Sequence, residues 1–153
     1  MSNELRAMRK THLAIDHSMD VIIDLIAEIE EGSKLDSVGR RALKAHTQLL
    51  KKLVAQHLER EEKAASSAER WLTEKPEEIK KLHLDIHRMY EGLKNFSKSV
   101  EDLDDGIELS DEAWRKTRAN LAGLVDTFRQ CADQEWEFYT LYSTLLEPGG
   151  VSS

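Results

Sequence analysis

The chain has a single cysteine, two prolines and seven glycines in 153 residues. The lone Cys131 excludes an intrachain disulfide and any cysteine-rich zinc module, and it fits a reducing compartment. Basic residues are outnumbered, 22 against 29 acidic, for a net charge of -7. That balance argues against a nucleic-acid surface and against binding to anionic lipid. Long apolar runs are also missing, and the first ten residues are charged and periodic. Neither a signal peptide nor a membrane span is expected, and the reading is of a cytoplasmic protein.

What is present between the few breaks is helical. The breaks stand at Gly32, Gly39, Pro76, Gly106 and the Pro148-Gly149-Gly150 tail. Short connections between long helices imply antiparallel neighbours, so the expected fold is all-α, an up-down-up-down antiparallel four-helix bundle. One domain of residues 1–147 is expected, followed by a flexible tail of residues 148–153.

In the first helix, expected to end at Glu31, Leu5, Met8, His12, Ile15, Met19, Ile22, Ile26 and Ile29 alternate steps of three and four. Such a stripe is the buried seam of a bundle helix, and His12 is its only strongly polar member. His17 lies off the seam and reads as a solvated residue. The second helix is expected from about Asp36 to Leu72, with a break near Gly39 left open. Its stripe of Leu43, His46, Leu50, Leu53, His57, Glu61, Ala64 and Ala68 carries an H-x-x-x-E pair, His57 and Glu61. A carboxylate facing a core is costly unless it is paired, protonated or bound to metal. A buried His–Glu hydrogen bond is the plain alternative.

The third helix is expected from Pro76, well suited to a first helical position, to about Leu103. His83 and His87 are one turn apart just beside its seam of Ile79, Leu82, Ile86, Met89, Leu93, Phe96, Val100 and Leu103, with Tyr90 further along the same flank. Tyr90 is read either as a donor behind the site or as an ordinary core-edge aromatic. Ser110-Asp-Glu-Ala reads as the cap of a fourth helix running to about Leu146. There a glutamate again interrupts the apolar stripe: Thr117, Leu121, Leu124, Phe128, Cys131, Glu135, Phe138, Tyr142, Leu145. Asp133 and Glu137 form a second carboxylate pair, two positions off that stripe.

In an antiparallel bundle, residues equally far from a connecting turn stand side by side. This places His12 beside His57, Glu61 beside His87, and His83 beside Cys131, one turn from Glu135. His17 and His46 fall at other levels. Imidazoles and carboxylates gathered in one core layer would be badly unsatisfied without a partner. Iron, manganese or zinc would satisfy them, and so many donors exceed the needs of one tetrahedral zinc, which makes two carboxylate-bridged metals the natural count. Ferritin-like sites need an acid three residues before a histidine. None of the six histidines has one.

With one histidine on helix 1, H-x-x-x-E on helix 2, H-x-x-x-H on helix 3 and an acid on helix 4, the chain resembles the hemerythrin-like family over essentially its whole length. The resemblance implies metal ligands at His12, His57, Glu61, His83, His87 and Glu135. It also implies two non-haem irons with an oxo or hydroxo bridge, zinc or manganese being secondary, and an open position for O2 or a related ligand such as NO or peroxide. The departure is Cys131, which stands where the family has a helix 4 histidine. It is read as packing or leaving a position vacant ahead of serving as a thiolate ligand. A second frame uses Asp133 and Glu137 as the helix 4 pair, and Trp136 or Tyr139 is expected to shield the centre. Binding or sensing a small ligand is the leading function. The alternatives are an enzyme acting on peroxide or Fe(II), and a bundle with an empty site that serves as an interaction module.

Overall fold

The structure is a computed structural model that describes residues 3–70 and 77–141. These residues form four helices: α1 (Asn3–Glu31), α2 (Ser37–Arg70), α3 (Glu77–Glu101) and α4 (Glu112–Leu141). Among the described residues there is no strand, only an isolated bridge between Lys34 and Glu108. No helix of the described residues is long and apolar enough to cross a membrane. Contacts run mainly between sequence neighbours, α1 with α2, α2 with α3 and α3 with α4; α1 and α4 touch less, and the pairs α1 with α3 and α2 with α4 less still. This is the pattern that antiparallel neighbours joined by short connections produce.

The helix ends follow local chemistry. Asp36 caps α2, its Oδ1 accepting the Gly39 amide at 2.7 Å, and satisfies a donor that the first turn cannot pair internally. Gly39 therefore sits inside a capped first turn, and α2 runs through it without the break left open above. The α4 cap is Asp111, whose Oδ1 accepts the Ala113 amide at 2.9 Å, one residue later than the expected Ser110. Helix α3 ends at Glu101, two residues short of the expected Leu103. The expected extensions to Leu72 and Leu146, the start at Pro76, and the 148–153 tail lie outside the described residues.

At one end of the molecule the two connections are tied together. Leu35 donates its amide to the Ile107 carbonyl at 3.1 Å, and Gly106 donates to the Leu35 carbonyl at 2.7 Å. Arg40 reinforces the tie through Asp105 at 3.0 Å and the Leu103 carbonyl at 3.2 Å. Leu35, Leu103 and Trp114 are buried beneath it. Two backbone positions there need left-handed geometry, Ser33 at φ 58° and Gly106 at φ 83°.

The α1 seam from Met8 to Ile29 is buried as its spacing demands, with His12 half-buried. On α3, Leu82, Ile86, Met89, Leu93, Phe96 and Val100 are buried, and on α4 so are Thr117, Leu121, Leu124, Phe128, Cys131 and Glu135. The α2 stripe is buried at Leu43, Leu50, His57, Glu61 and Ala64, and the buried face is wider than the stripe. Thr47, Val54 and Leu58 are buried, whereas His46 and Leu53 are only half-buried.

Candidate metal centre

Three helices bring four ligand-type side chains to one point. His12 comes from the α1 seam, His57 and Glu61 from successive turns of α2, and Glu135 from α4. A four-residue spacing leaves His57 and Glu61 on the same face of their helix. One ligand atom of each residue lies within 4.8 Å of those of the other three. His57, Glu61 and Glu135 are buried, and the His12 side chain keeps 16% exposure.

His12 Nε2 is 2.5 Å from Glu135 Oε2, 3.9 Å from Glu61 Oε1 and 2.9 Å from His57 Nε2. His57 Nε2 pairs with Glu61 Oε1 and lies 3.4 Å from Glu135 Oε2. The two imidazoles meet edge to face at 4.4 Å between centroids. Phe128 lies against His12 at 5.5 Å, also edge to face, and covers one side.

The charges in the cluster are strongly interdependent. Burial pulls the His57 imidazole down, but Glu135 and Glu61 outweigh it and hold the ring at about 9. Burial pushes Glu135 up, and His12 and His57 overcome that to hold its carboxyl at about 2. His12 is raised by the same two carboxylates against its own burial. Glu61 is raised, above all by burial, so the cluster favours one ionised carboxylate over two.

Protons alone leave this cluster incomplete. Among the described residues, His57 Nδ1 and Glu61 Oε2 have no hydrogen-bond partner despite their burial, and Glu61 Oε1 meets only the imidazoles, a costly state for polar atoms in a core. Two imidazole nitrogens and two carboxylates are a donor set suited to iron, manganese or zinc. Donors bound at about 2.0–2.2 Å to one ion lie at most roughly 4.4 Å apart, close to the spread seen here. The residues therefore fit a single transition-metal ion.

The other expected ligands lie elsewhere. His83 is half-buried and His87 exposed, and neither joins the four. The cause is the rotation of α3. Leu82 and Ile86 point inward, and the residue after each is turned about 100° around the helix toward the flank. Asp85 takes the inward place instead, buried against Cys131 of α4. Its sequence signal was the Leu82-Asp85-Met89 spacing of three and four, a second seam through the same helix face. Cys131 is buried outside the cluster of four, and burial together with Asp85 pushes its thiol up to about 12. It is thus a packed, protonated thiol.

Asp133, Glu137 and Tyr90 are exposed, so the second helix 4 frame and a role for Tyr90 behind the site gain no contact with the cluster. His17 is exposed and His46 half-buried, both outside the cluster. Trp136 is part-exposed, with the Arg9 guanidinium 5.8 Å above its ring, while the side chain of Tyr139 lies outside those described. A cavity of about 250 Å³ opens beside Glu135, lined by Lys81, Leu82, Asp85, Gln134, Glu135 and Glu137.

Compared with known proteins, the chain matches no family model, no curated protein and no solved structure.

Proposed function

We propose that this chain is an up-down-up-down four-helix bundle in which His12, His57, Glu61 and Glu135 hold a non-haem iron ion. On this reading its function is to bind or sense O2 or a related small ligand such as NO or peroxide. One observation carries it: two imidazoles and two carboxylates from three helices converge in a core that leaves Glu61 Oε2 and His57 Nδ1 without hydrogen bonds. The choice of iron and of O2 rests on the resemblance to hemerythrin-like proteins.

Bound iron supplies redox chemistry and coordination positions beyond the protein donors. The chain supplies the rest. His57 and Glu61, fixed one turn apart on α2, set the spacing of two donors, and Glu135 closes the site from α4. Phe128 keeps an apolar wall against His12, so water reaches the centre only from restricted directions. The four residues support one ion. A second iron, as first expected, requires His83 and His87 to reach the centre.

Metal analysis of protein purified without oxygen tests this directly. About one iron per chain and an absorbance change on exposure to O2 are expected. Two irons would bring His83 and His87 into the site, and well under one iron with no absorbance change would leave a metal-free bundle, an interaction module. The cavity beside Glu135 favours a second reading, turnover of peroxide or Fe(II) at the same centre. Steady-state turnover separates an enzyme from a carrier or sensor.

A further inference from the structure

The cavity beside Glu135 opens to solvent at one side and is lined by one member of the candidate metal cluster, Glu135 itself. Lys81, Gln134 and Glu137 at its edge are exposed, whereas Asp85 and Glu135 are buried. Three of its lining groups are carboxylates and one is an ammonium, so its field draws cations. The two other cavities described do not touch the cluster: one is an apolar groove between α1 and α4, the other lies at the turn before α4.

Asp85 is the informative residue. Its side chain is 4% exposed, and its Oδ2 has no hydrogen-bond partner among the described residues. Two cations act on it, Lys81 across the cavity and Arg88, with Nη1 3.6 Å from Oδ1 and an exposed side chain. A buried carboxylate oxygen facing a small cavity without a donor is unfavourable at rest. It becomes favourable when a hard cation is present, because carboxylate oxygens suit divalent ions that arrive partly hydrated.

We propose that this α3–α4 cavity is the entry route for the divalent cation, with Glu137 at its mouth and Asp85 as a transient ligand that hands the ion to Glu135. The inference rests on the reading of His12, His57, Glu61 and Glu135 as a metal site. In this role Asp85 acts on the rate of loading and leaves the final occupancy alone, because it is not one of the four converging groups.

The test is stopped-flow loading of the metal-stripped full chain with Co²⁺, followed by visible absorption, with the endpoint measured by metal analysis. Wild type is expected to reach about one Co²⁺ per chain. Asp85→Asn slows loading about tenfold and Glu137→Gln about threefold, with unchanged endpoints, while Lys81→Glu speeds it, within the range that local charge exerts on association rates. Asp133→Asn, exposed on the same helix but off the cavity, leaves the rate unchanged. Full endpoints with wild-type rates in all variants would overturn the route and leave the metal site standing. A reduced endpoint in Asp85→Asn would make Asp85 a permanent ligand and overturn the handover. No Co²⁺ uptake by wild type would overturn both readings. Glu137 and Lys81 are exposed, so their variants decide the matter even if Asp85→Asn misfolds.

Discussion

His12 Nε2 lies 2.9 Å from His57 Nε2, nitrogen facing nitrogen across the interface of α1 and α2. One ring can donate to the other only if the second presents a lone pair, and both nitrogens also face Glu135. Protons serve such a junction poorly. A metal at the point where the nitrogens converge would use both lone pairs at once.

Single-residue variants should therefore divide into two groups. His12→Ala, His57→Ala and Glu61→Ala each remove a donor and are expected to lower metal affinity by at least about tenfold. His83→Ala and His87→Ala should retain wild-type stoichiometry. Equilibrium dialysis with metal analysis reads both results, with circular dichroism to confirm helix content. Loss of metal in His87→Ala would bring α3 back into the site.

Stripped of metal, the protein should be most stable between about pH 4.5 and 6.5, and the signs follow from two residues. His57 is raised from 6.5 to about 9 when folded, so its contribution is complete below pH 6.5 and is lost as pH rises toward 9. Glu135 is lowered from 4.5 to about 2, so its contribution is present above pH 4.5 and is lost as pH falls toward 2. Urea denaturation across this range measures the effect. A stability that climbs from pH 6.5 to 9 would contradict the charge arrangement.

The turn positions give a prediction independent of metal. Ser33 holds φ 58° with no glycine to relieve it, so Ser33→Gly should stabilise the fold by about 0.5–1 kcal/mol. Gly106, at φ 83°, should behave oppositely, with Gly106→Ala costing about 1–2 kcal/mol. Thermal unfolding of the two variants should shift in opposite directions.

Cys131 should resist thiol reagents. Its thiol is buried and raised to about 12, so almost none is thiolate at pH 8. Modification by a disulfide reagent is expected only on unfolding, with kinetics that track loss of helix. Rapid labelling of the folded protein would show that the α3–α4 interface opens.

Much of the site was legible in single helices. The α1 seam advances by strict steps of three and four, so His12 had to share the buried face of Met8 and Ile15, and Glu135 followed from Cys131 and Phe128 in the same way. Reading α3 was harder, for a geometric reason. Counting residues from a turn locates a side chain along the bundle axis but says nothing about rotation around its own helix. His83 and His87 stand at the right height by that count, yet α3 turns Asp85 inward and leaves His87 exposed. The stripe of Leu82, Ile86, Met89 and Leu93 has polar neighbours on both flanks, and periodicity does not choose between flanks. The α2 stripe was read correctly at Leu43, Leu50, His57, Glu61 and Ala64, and missed only that the buried face is wide enough to take in Val54 and Leu58 while leaving Leu53 half-buried.

The tie between Leu35, Gly106 and Ile107 has a mechanical consequence. His12 lies nineteen residues before the end of α1, roughly 28 Å along the helix from that tie. The molecule is thus built like tongs, riveted by backbone at one end and gripped by side chains near the other. Loss of the contacts among His12, His57, Glu61 and Glu135 would leave the rivet in place, so opening would begin at the level of His12 and not beside Leu35. Amide exchange should quicken toward the His12 end of α1 and stay slow beside Leu35.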